Sequence, residues 1–352
     1  MEALFALSVG IILYTYVIYP LIIVVWGTVA PKPVKSGPME LPVSVVVAVR
    51  NGEHQVRERI DNLLAQDYPQ EHIEVIVVSN GSTDRTVEEA RSVTDPRVRV
   101  IEIEESVGKS QAINVGVRAA THDIVVFADV RQQFDRNAIS ELTAAFYDAN
   151  VGAVSGELVI QRSADSDVAE GVGLYWEYEK LIRRKEGAVG SVVGATGSIY
   201  AIRKHLFTPL VPQTILDDFI VPMRVVLAGQ RVVFSSTAIA RDWASDTSAH
   251  EFARKVRTLA GNFQAFALEK NLLLPWKNPV FFQMLSHKIA RLIVPYCLIL
   301  AFFSNLFLQG EFFDFTLLLQ VFFYLLVALR FTPVADSPLG GIIRVAWTFI
   351  VL

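Results

Sequence analysis

Cysteine is almost missing from this 352-residue sequence. Cys297 stands alone, so no disulfide framework holds the fold. Charge is scarce as well, at 19% of residues, where an ordinary soluble domain carries about 25%. Nor is there an excess of positive charge. Lys and Arg number 32 against 36 Asp and Glu, a formal net charge of −4, which lacks the basic footprint of a nucleic-acid binder. Internal repeats and low-complexity segments are absent too. What is abundant is apolar, 52% of the chain, and the length suffices for a full catalytic core plus membrane spans.

The apolar residues are concentrated at the two ends. From Ala3 to Ala30 the chain is almost uncharged, and about 20 such residues cross a hydrocarbon core. A cleaved signal peptide carries basic residues before its apolar run. Here Glu2 precedes the run while Lys32 and Lys35 follow it. Residues 3–30 are therefore expected to form a transmembrane helix with the following body inside. Further spans are expected over 292–352, at Leu292–Leu308 and Phe312–Phe331. The last apolar run, Leu339–Leu352, reaches the end of the sequence without a polar tail, either a truncated span or one ending in the membrane. Residues 275–291, including PVFFQMLSHKIAR, read as a helix lying in the interface or as an extension of the span after it. Asp314 and Arg330 fall near span ends, and Asn305 alone does not make a translocation path.

Residues 39–270 read as a separate α/β domain. Val43–Val49 is a continuous β-branched run, followed by a polar helical stretch over Glu53–Gln66. Glu74–Asn80 is a second strand and Arg85–Val93 a helix. Arg97–Ile103, a helix over Lys109–Ala120 and Asp123–Asp129 continue the alternation. Strands of this kind, separated by helices, predict a mostly parallel sheet covered by helices. Ligands bind beyond the carboxyl ends of such strands, where Arg50-Asn51, Ser79-Asn80-Gly81-Ser82 and Asp129 fall.

The order of several short segments carries more than any one of them. VAVRNGE follows the first strand, VVSNGSTDRT the second, GKSQAINVG opens a helix, and VVFADVRQQFD follows the fourth strand. WEYEKLIRRKE, GATGSIYAIRK, ILDDF and EFARKVRT come later. Together, over Val43 to Phe266, they resemble family-2 glycosyltransferases of the GT-A fold, a group that includes cellulose, chitin, hyaluronan and poly-N-acetylglucosamine synthases.

That resemblance implies the following roles. Arg50, Asn51 and Glu53 match the nucleotide edge, Asn80 stands where many relatives carry a nucleoside-contacting aspartate, and Lys109 lies near the nucleotide. Locally, Gly81 also suits a turn and Ser82 or Asp84 a helix cap. Members of the group hold a divalent cation, Mg²⁺ or Mn²⁺, with two acids flanking one residue. Here Asp129 is the first acid and the expected metal ligand, whereas Arg131 occupies the second position. An arginine cannot ligate a metal but can meet phosphate with its planar fork; Asp135, six residues on, suits a helix cap. In ILDDF the resemblance makes Asp218 the catalytic base and Asp217 its support, while either aspartate is also suited to cap the following helix. Gly197 and Ser198 floor the acceptor site, and Trp176 either stacks on a sugar or packs in the core, as does Tyr178. Arg257 matches the arginine of a Gln-x-x-Arg-Trp segment that grips diphosphate; its glutamine and tryptophan are replaced here by Arg254 and Thr258, and a basic helix face near lipid headgroups is the plainer reading.

The sequence thus points to an inverting transferase embedded in a membrane, expected to be the bacterial inner membrane, with its catalytic domain cytoplasmic. Its expected partners are a nucleotide-sugar donor, most simply a UDP-sugar, and a lipid-linked or glycan acceptor in exopolysaccharide or envelope synthesis. Two alternatives stand beside it: transfer of a single sugar to polyprenyl phosphate or a lipid, and a non-catalytic membrane partner that keeps the fold.

Overall fold

A computed structural model describes residues 1–161, 169–243, 248–332, 334 and 340–351, with the side chains of 169–175, 248–254, 344–345 and 348–351 excepted. The chain divides into two compact units. One comprises Met1–Ala30, Arg162–Lys185 and Phe282–Leu352, the other Pro31–Gln161 and Glu186–Phe281.

The second unit is built on one sheet of eight strands, β1 (Val43–Val49), β2 (Ile73–Asn80), β3 (Val98–Ile103), β4 (Ile124–Ala128), β5 (Gln133–Phe134), β6 (Val151–Gln161), β7 (Ile199–Arg203) and β8 (Arg231–Trp243). Their spatial order is β3-β2-β1-β4-β7-β6-β8-β5. The first four run parallel; antiparallel β7 then joins β4 to β6, β6 and β8 run parallel, and β5 closes the edge antiparallel to β8. The expected strands are all present, to within a residue at most ends. The unbroken β-branched runs of β1, β2 and β4 follow from burial on both faces: every residue of β4 is buried, and so are all of β1 except Ala48. Helices Val56–Leu64, Thr86–Arg91 and Lys109–Ala119 connect the parallel strands.

One close approach sets the position of the Lys109–Ala119 helix. A Cβ on Gly116 would lie 2.4 Å from Val46 Cγ1 on β1, so only a hydrogen there lets the helix seat against the sheet.

In the other unit, three helices are long and apolar enough to cross a membrane: Glu2–Val29, Phe281–Asn305 and Glu311–Leu329. The segment expected as an interfacial helix runs on, from Phe281 without a break through Asn305. Within this unit Tyr14 and Ser286 share a hydrogen bond of 2.7 Å. Glu179 pairs with Arg291 at 2.6 Å and His287 at 3.1 Å. Asn305 Nδ2 donates to Thr316 Oγ1 and Gln320 Oε1 at 3.1 and 3.0 Å, side-chain bonds of the kind that join helices in an apolar medium. Arg330 follows the Glu311–Leu329 helix directly.

Gly116→Leu should destabilise the protein by about 1–3 kcal/mol, the usual cost of overpacking. Thermal or denaturant unfolding measures it, and unchanged stability would show that the helix is free to shift.

Candidate functional site

The chemistry gathers where β4 ends. Asp129 is the first residue beyond it, and Lys109 is the first residue of its helix, behind Gly108. Asp217 opens the helix Asp217–Leu227, with Asp218 next. Three separate stretches of chain thus deliver their charges to one place. Lys109 Nζ lies 2.9 Å from Asp129 Oδ1 and 3.6 Å from Asp217 Oδ1.

The electrostatics follow from that geometry. Burial alone would lower the Lys109 ammonium, but Asp217 and Asp129, with Asp218 adding to them, hold it far above the usual lysine range. Asp217 is 6% exposed at its side chain. Burial raises its carboxyl, Lys109 opposes that, Asp129 adds to it, and Arg257 opposes it more weakly. A carboxyl at a helix start also meets the positive end of the helix dipole.

Around this core lie groups whose polar atoms the protein leaves unused. Tyr200 on β7 is fully buried and stacks on Phe127 of β4, ring centroids 4.4 Å apart. Its hydroxyl has no hydrogen-bond partner among the described residues, and burial, followed by Asp217, Asp218 and Asp129, pushes it well above the tyrosine range. Ser198 is buried, and its Oγ has no partner among the described residues. Gly197 is fixed by proximity, since a Cβ there would fall 2.8 Å from Asp218 Oδ2. Ala195 N donates to the Asp218 carbonyl at 2.8 Å, and this backbone bond holds the 194–198 loop against the aspartate.

The residues expected at the nucleotide edge form a laced wall at the ends of β1 and β2. Asn51 Oδ1 accepts from Thr83 N at 2.9 Å, and its backbone N donates to Ser82 Oγ at 3.1 Å. Glu53 N donates to Asp84 Oδ2 at 3.2 Å, and Arg85 N to Glu53 Oε2 at 3.0 Å. Asp84 also accepts from Thr86 N at 3.0 Å, so the cap and the wall are one structure. Asn80 Oδ1 accepts from Val107 N at 2.9 Å, which fixes the loop ahead of Lys109. Arg50 is exposed beside it. Arg257 lies exposed on the helix Ser248–Leu268, while the Arg254 side chain falls outside the described residues. Trp176 and Tyr178 belong to the other unit, where Tyr178 Oη donates to the Tyr16 carbonyl at 2.9 Å.

Two participants escape a reading of the sequence. Arg59 is fully buried, with its guanidinium carbon 4.1 Å from the Phe134 ring centroid. Burial brings it down to about 9, against the pull of Asp129. It donates to Asn62 Oδ1 at 2.6 Å, and Asn62 brackets both backbone polar groups of Phe134 at 2.9 Å. The pair steadies the loop that carries residues 129–134. The available signal was a charge on the face shared by Val56, Ile60 and Leu63. The second is Asp242 on β8, 4% exposed, which accepts from Arg131 Nη2 and, at 2.9 Å, from Gln132 Nε2. Asp135, expected as a cap, instead grips Arg241 through two hydrogen bonds, one of 2.7 Å.

Whether these residues suit a divalent cation depends on the donor set. Hard cations take carboxylate oxygens, and Mg²⁺ needs one or two of them besides phosphate. Asp129 already binds an ammonium, and the second acid's position holds Arg131, turned onto Asp242. Among the described residues no group of three or more His, Cys, Asp or Glu is placed to hold a metal. The acid-x-acid pair that the resemblance implies is therefore incomplete: Asp129 is present and paired with Lys109, and Arg131 stands in the second position.

Residues 44–211 match the family model described as Glycosyl transferase family 2. An N-acetylglucosaminyltransferase of Azorhizobium caulinodans is 25% identical to this chain over 255 residues, 67% of this chain and 64% of that protein. Another, of Rhizobium meliloti, is 24% identical over 282 residues, 76% and 66% of the two lengths. The poly-beta-1,6-N-acetyl-D-glucosamine synthase of Staphylococcus aureus is 23% identical over 257 residues, 69% and 61%. The chain spans 61–66% of the length of these curated relatives. Among solved structures, a mannosyltransferase of Pyrobaculum calidifontis, in complex with GDP-Man and Mn²⁺, superposes with a TM-score of 0.72 at 20% identity, covering 99% of each chain. The fold is GT-A, and residues 44–211 carry the match to the glycosyl transferase family.

Lys109→Met leaves Asp217 buried without its countercharge, and the Asp217 carboxyl, raised already, should rise further. A carboxyl raised in the folded state holds its proton more tightly there than in the unfolded chain, so stability falls as pH increases through the unfolded value. The variant should lose on the order of 2 kcal/mol at about pH 7, a buried-pair loss discounted because Lys109 is partly exposed, and less at about pH 4. Thermal melts across that range check it; a deficit independent of pH would show that the two groups do not interact.

Proposed function

We propose that this family-2 glycosyltransferase domain transfers a sugar from a nucleotide-sugar donor to an acceptor hydroxyl by direct displacement with inversion. The observation that carries the reading is the convergence of Asp129, Lys109 and the Asp217-Asp218 pair at the end of β4.

In this reading the nucleoside meets the wall formed by Asn51, Glu53 and Asn80, beside Arg50. The diphosphate lies toward Lys109, Arg131 and Arg257. Asp218, at the helix start against Gly197, accepts the proton of the acceptor hydroxyl as its oxygen bonds to the anomeric carbon. The bond from that carbon to the donor diphosphate breaks, and its electron pair leaves with the nucleotide. Fixed cations stabilise the charge that develops there because they need no rearrangement during the step. Asp217 keeps Lys109 in position. The hydroxyls of Ser198 and Tyr200, without partners among the described residues, suit sugar hydroxyls, since a buried polar atom left alone costs about 1–3 kcal/mol.

The donor to test first is UDP-N-acetylglucosamine. The relatives named as N-acetylglucosaminyltransferases and as a poly-beta-1,6-N-acetyl-D-glucosamine synthase support the sugar, and the resemblance to polysaccharide synthases supports UDP. The acceptor is a lipid-linked saccharide or a growing glycan, reached from the cytoplasmic face of a bacterial inner membrane. Three helices suited to a bilayer and the lysines that follow the first of them support that placement. A second reading, one sugar added to polyprenyl phosphate or a lipid, is favoured by the replaced glutamine and tryptophan around Arg257. A labelled donor distinguishes the two by product: a ladder of lengths or a single addition.

Asp218→Asn should abolish transfer, by about 10²-fold or more for loss of a general base, while UDP binding stays within about twofold, since the carboxylate acts on the acceptor. Initial rates with labelled donor, beside UDP binding, measure both; undiminished turnover would sink the assignment of the base.

A further inference from the structure

We propose that donor binding in this chain needs no divalent cation, because the Lys109 ammonium already pairs with Asp129 and Asp217, and Arg131 stands where the resemblance expects the second acid of a metal-binding pair. The proposal rests on the nucleotide-sugar reading above and concerns the same site.

Lys109 Nζ reaches oxygens of both carboxylates, at 2.9 and 3.6 Å, so the positive charge between them is already supplied by the protein. A divalent ion would either displace that ammonium from a sheltered carboxylate or lie beside it with like charge. Arg131 is no stray substitution, because it has a partner suited to it. Asp242 takes Arg131 on Oδ2, shares that oxygen with Gln132 at 2.9 Å, and accepts the Trp243 amide on Oδ1 at 2.8 Å. Asp242 is thus engaged by three donors. The Arg131 side chain remains 46% exposed, so part of its planar fork faces outward, and a guanidinium suits phosphate oxygens in pairs. Behind Asp129, Arg59 adds a buried positive charge that opposes a second cation on that carboxylate. Three fixed cations thus stand where an acid-x-acid motif would require a mobile one.

The test uses the full chain purified in detergent, with uridine and UDP as probes, so that the gain of UDP over uridine isolates the diphosphate. In excess EDTA that gain should be about tenfold or more, and Mn²⁺ should change it by less than about threefold. Electron paramagnetic resonance of Mn²⁺ should show no bound ion on the wild-type protein, with or without UDP. Arg131→Asp removes one of the fixed cations, and its gain should collapse in EDTA. A wild-type gain that appears only with Mn²⁺, or a bound-Mn²⁺ signal in the wild type with UDP, overturns the metal-free inference while leaving the nucleotide-sugar reading intact. That spectrum decides the matter even if the Arg131→Asp protein does not fold. If neither uridine nor UDP binds under any condition, the nucleotide-sugar reading fails and the inference with it.

Discussion

The structure depends on a single buried charge balance. Lys109 comes from the start of a helix, Asp129 from the end of a strand and Asp217 from the start of another helix more than a hundred residues later in the sequence. No two of them are neighbours in sequence, yet each needs the others. Asp217 is sheltered and costly to ionise without the ammonium, and the ammonium is costly to bury without the carboxylates. Much of the surrounding architecture serves to bring these three groups together. Gly116 lets the lysine's helix lie close to β1, Asn80 fixes the loop before that helix, and the Ala195–Asp218 backbone bond fixes the loop that faces the acid pair.

The sheet explains why the groups meet at this end. Four adjacent parallel strands leave their carboxyl ends in a row, and each ends in a loop with polar side chains. At β1 and β2 those loops bind one another through Asn51, Glu53, Ser82 and Asp84, which removes much of their freedom before any ligand arrives. β7 enters antiparallel beside β4 and adds the Tyr200 ring against Phe127. A tyrosine there supplies apolar packing with its ring and an unused hydroxyl at its tip, next to three carboxylates.

Much of the fold was legible because burial on both faces leaves a continuous apolar strand. β1, β2 and β4 were readable for that reason, and the helices between them by alternation. The antiparallel half stayed hidden, since β6, β7 and β8 carry mixed patterns and their pairing depends on partners distant in sequence. Of the site, Lys109, Asp129, Asp217 and Asp218 were legible only through the order of short segments; local propensity reads each aspartate as a cap. The N-terminal position of the acid pair on its helix satisfies both readings at once. Arg59 and Asp242 were illegible for a different reason. Each matters through a partner, Phe134 with Asn62 in one case and Arg131 in the other, and a single sequence does not reveal pairs across 72 or 111 positions.

The Arg131–Asp242 pair bears on how a metal motif can be lost without losing the site. Replacing an acid by arginine beside Asp129 reverses a charge, and an unpaired guanidinium there would draw the remaining carboxylate away from its work. Asp242, buried at the end of β8, prevents this by giving the arginine a carboxylate of its own and leaving Asp129 to Lys109. The two cations have separate partners: Lys109 pairs with Asp129 and Asp217, Arg131 with Asp242. An arrangement that merely tolerated decay would have no reason to bury a compensating acid at a distant strand end, with Gln132 and the Trp243 amide donating to it as well. The geometry leaves Asp129 paired with Lys109 and Arg131 paired with Asp242.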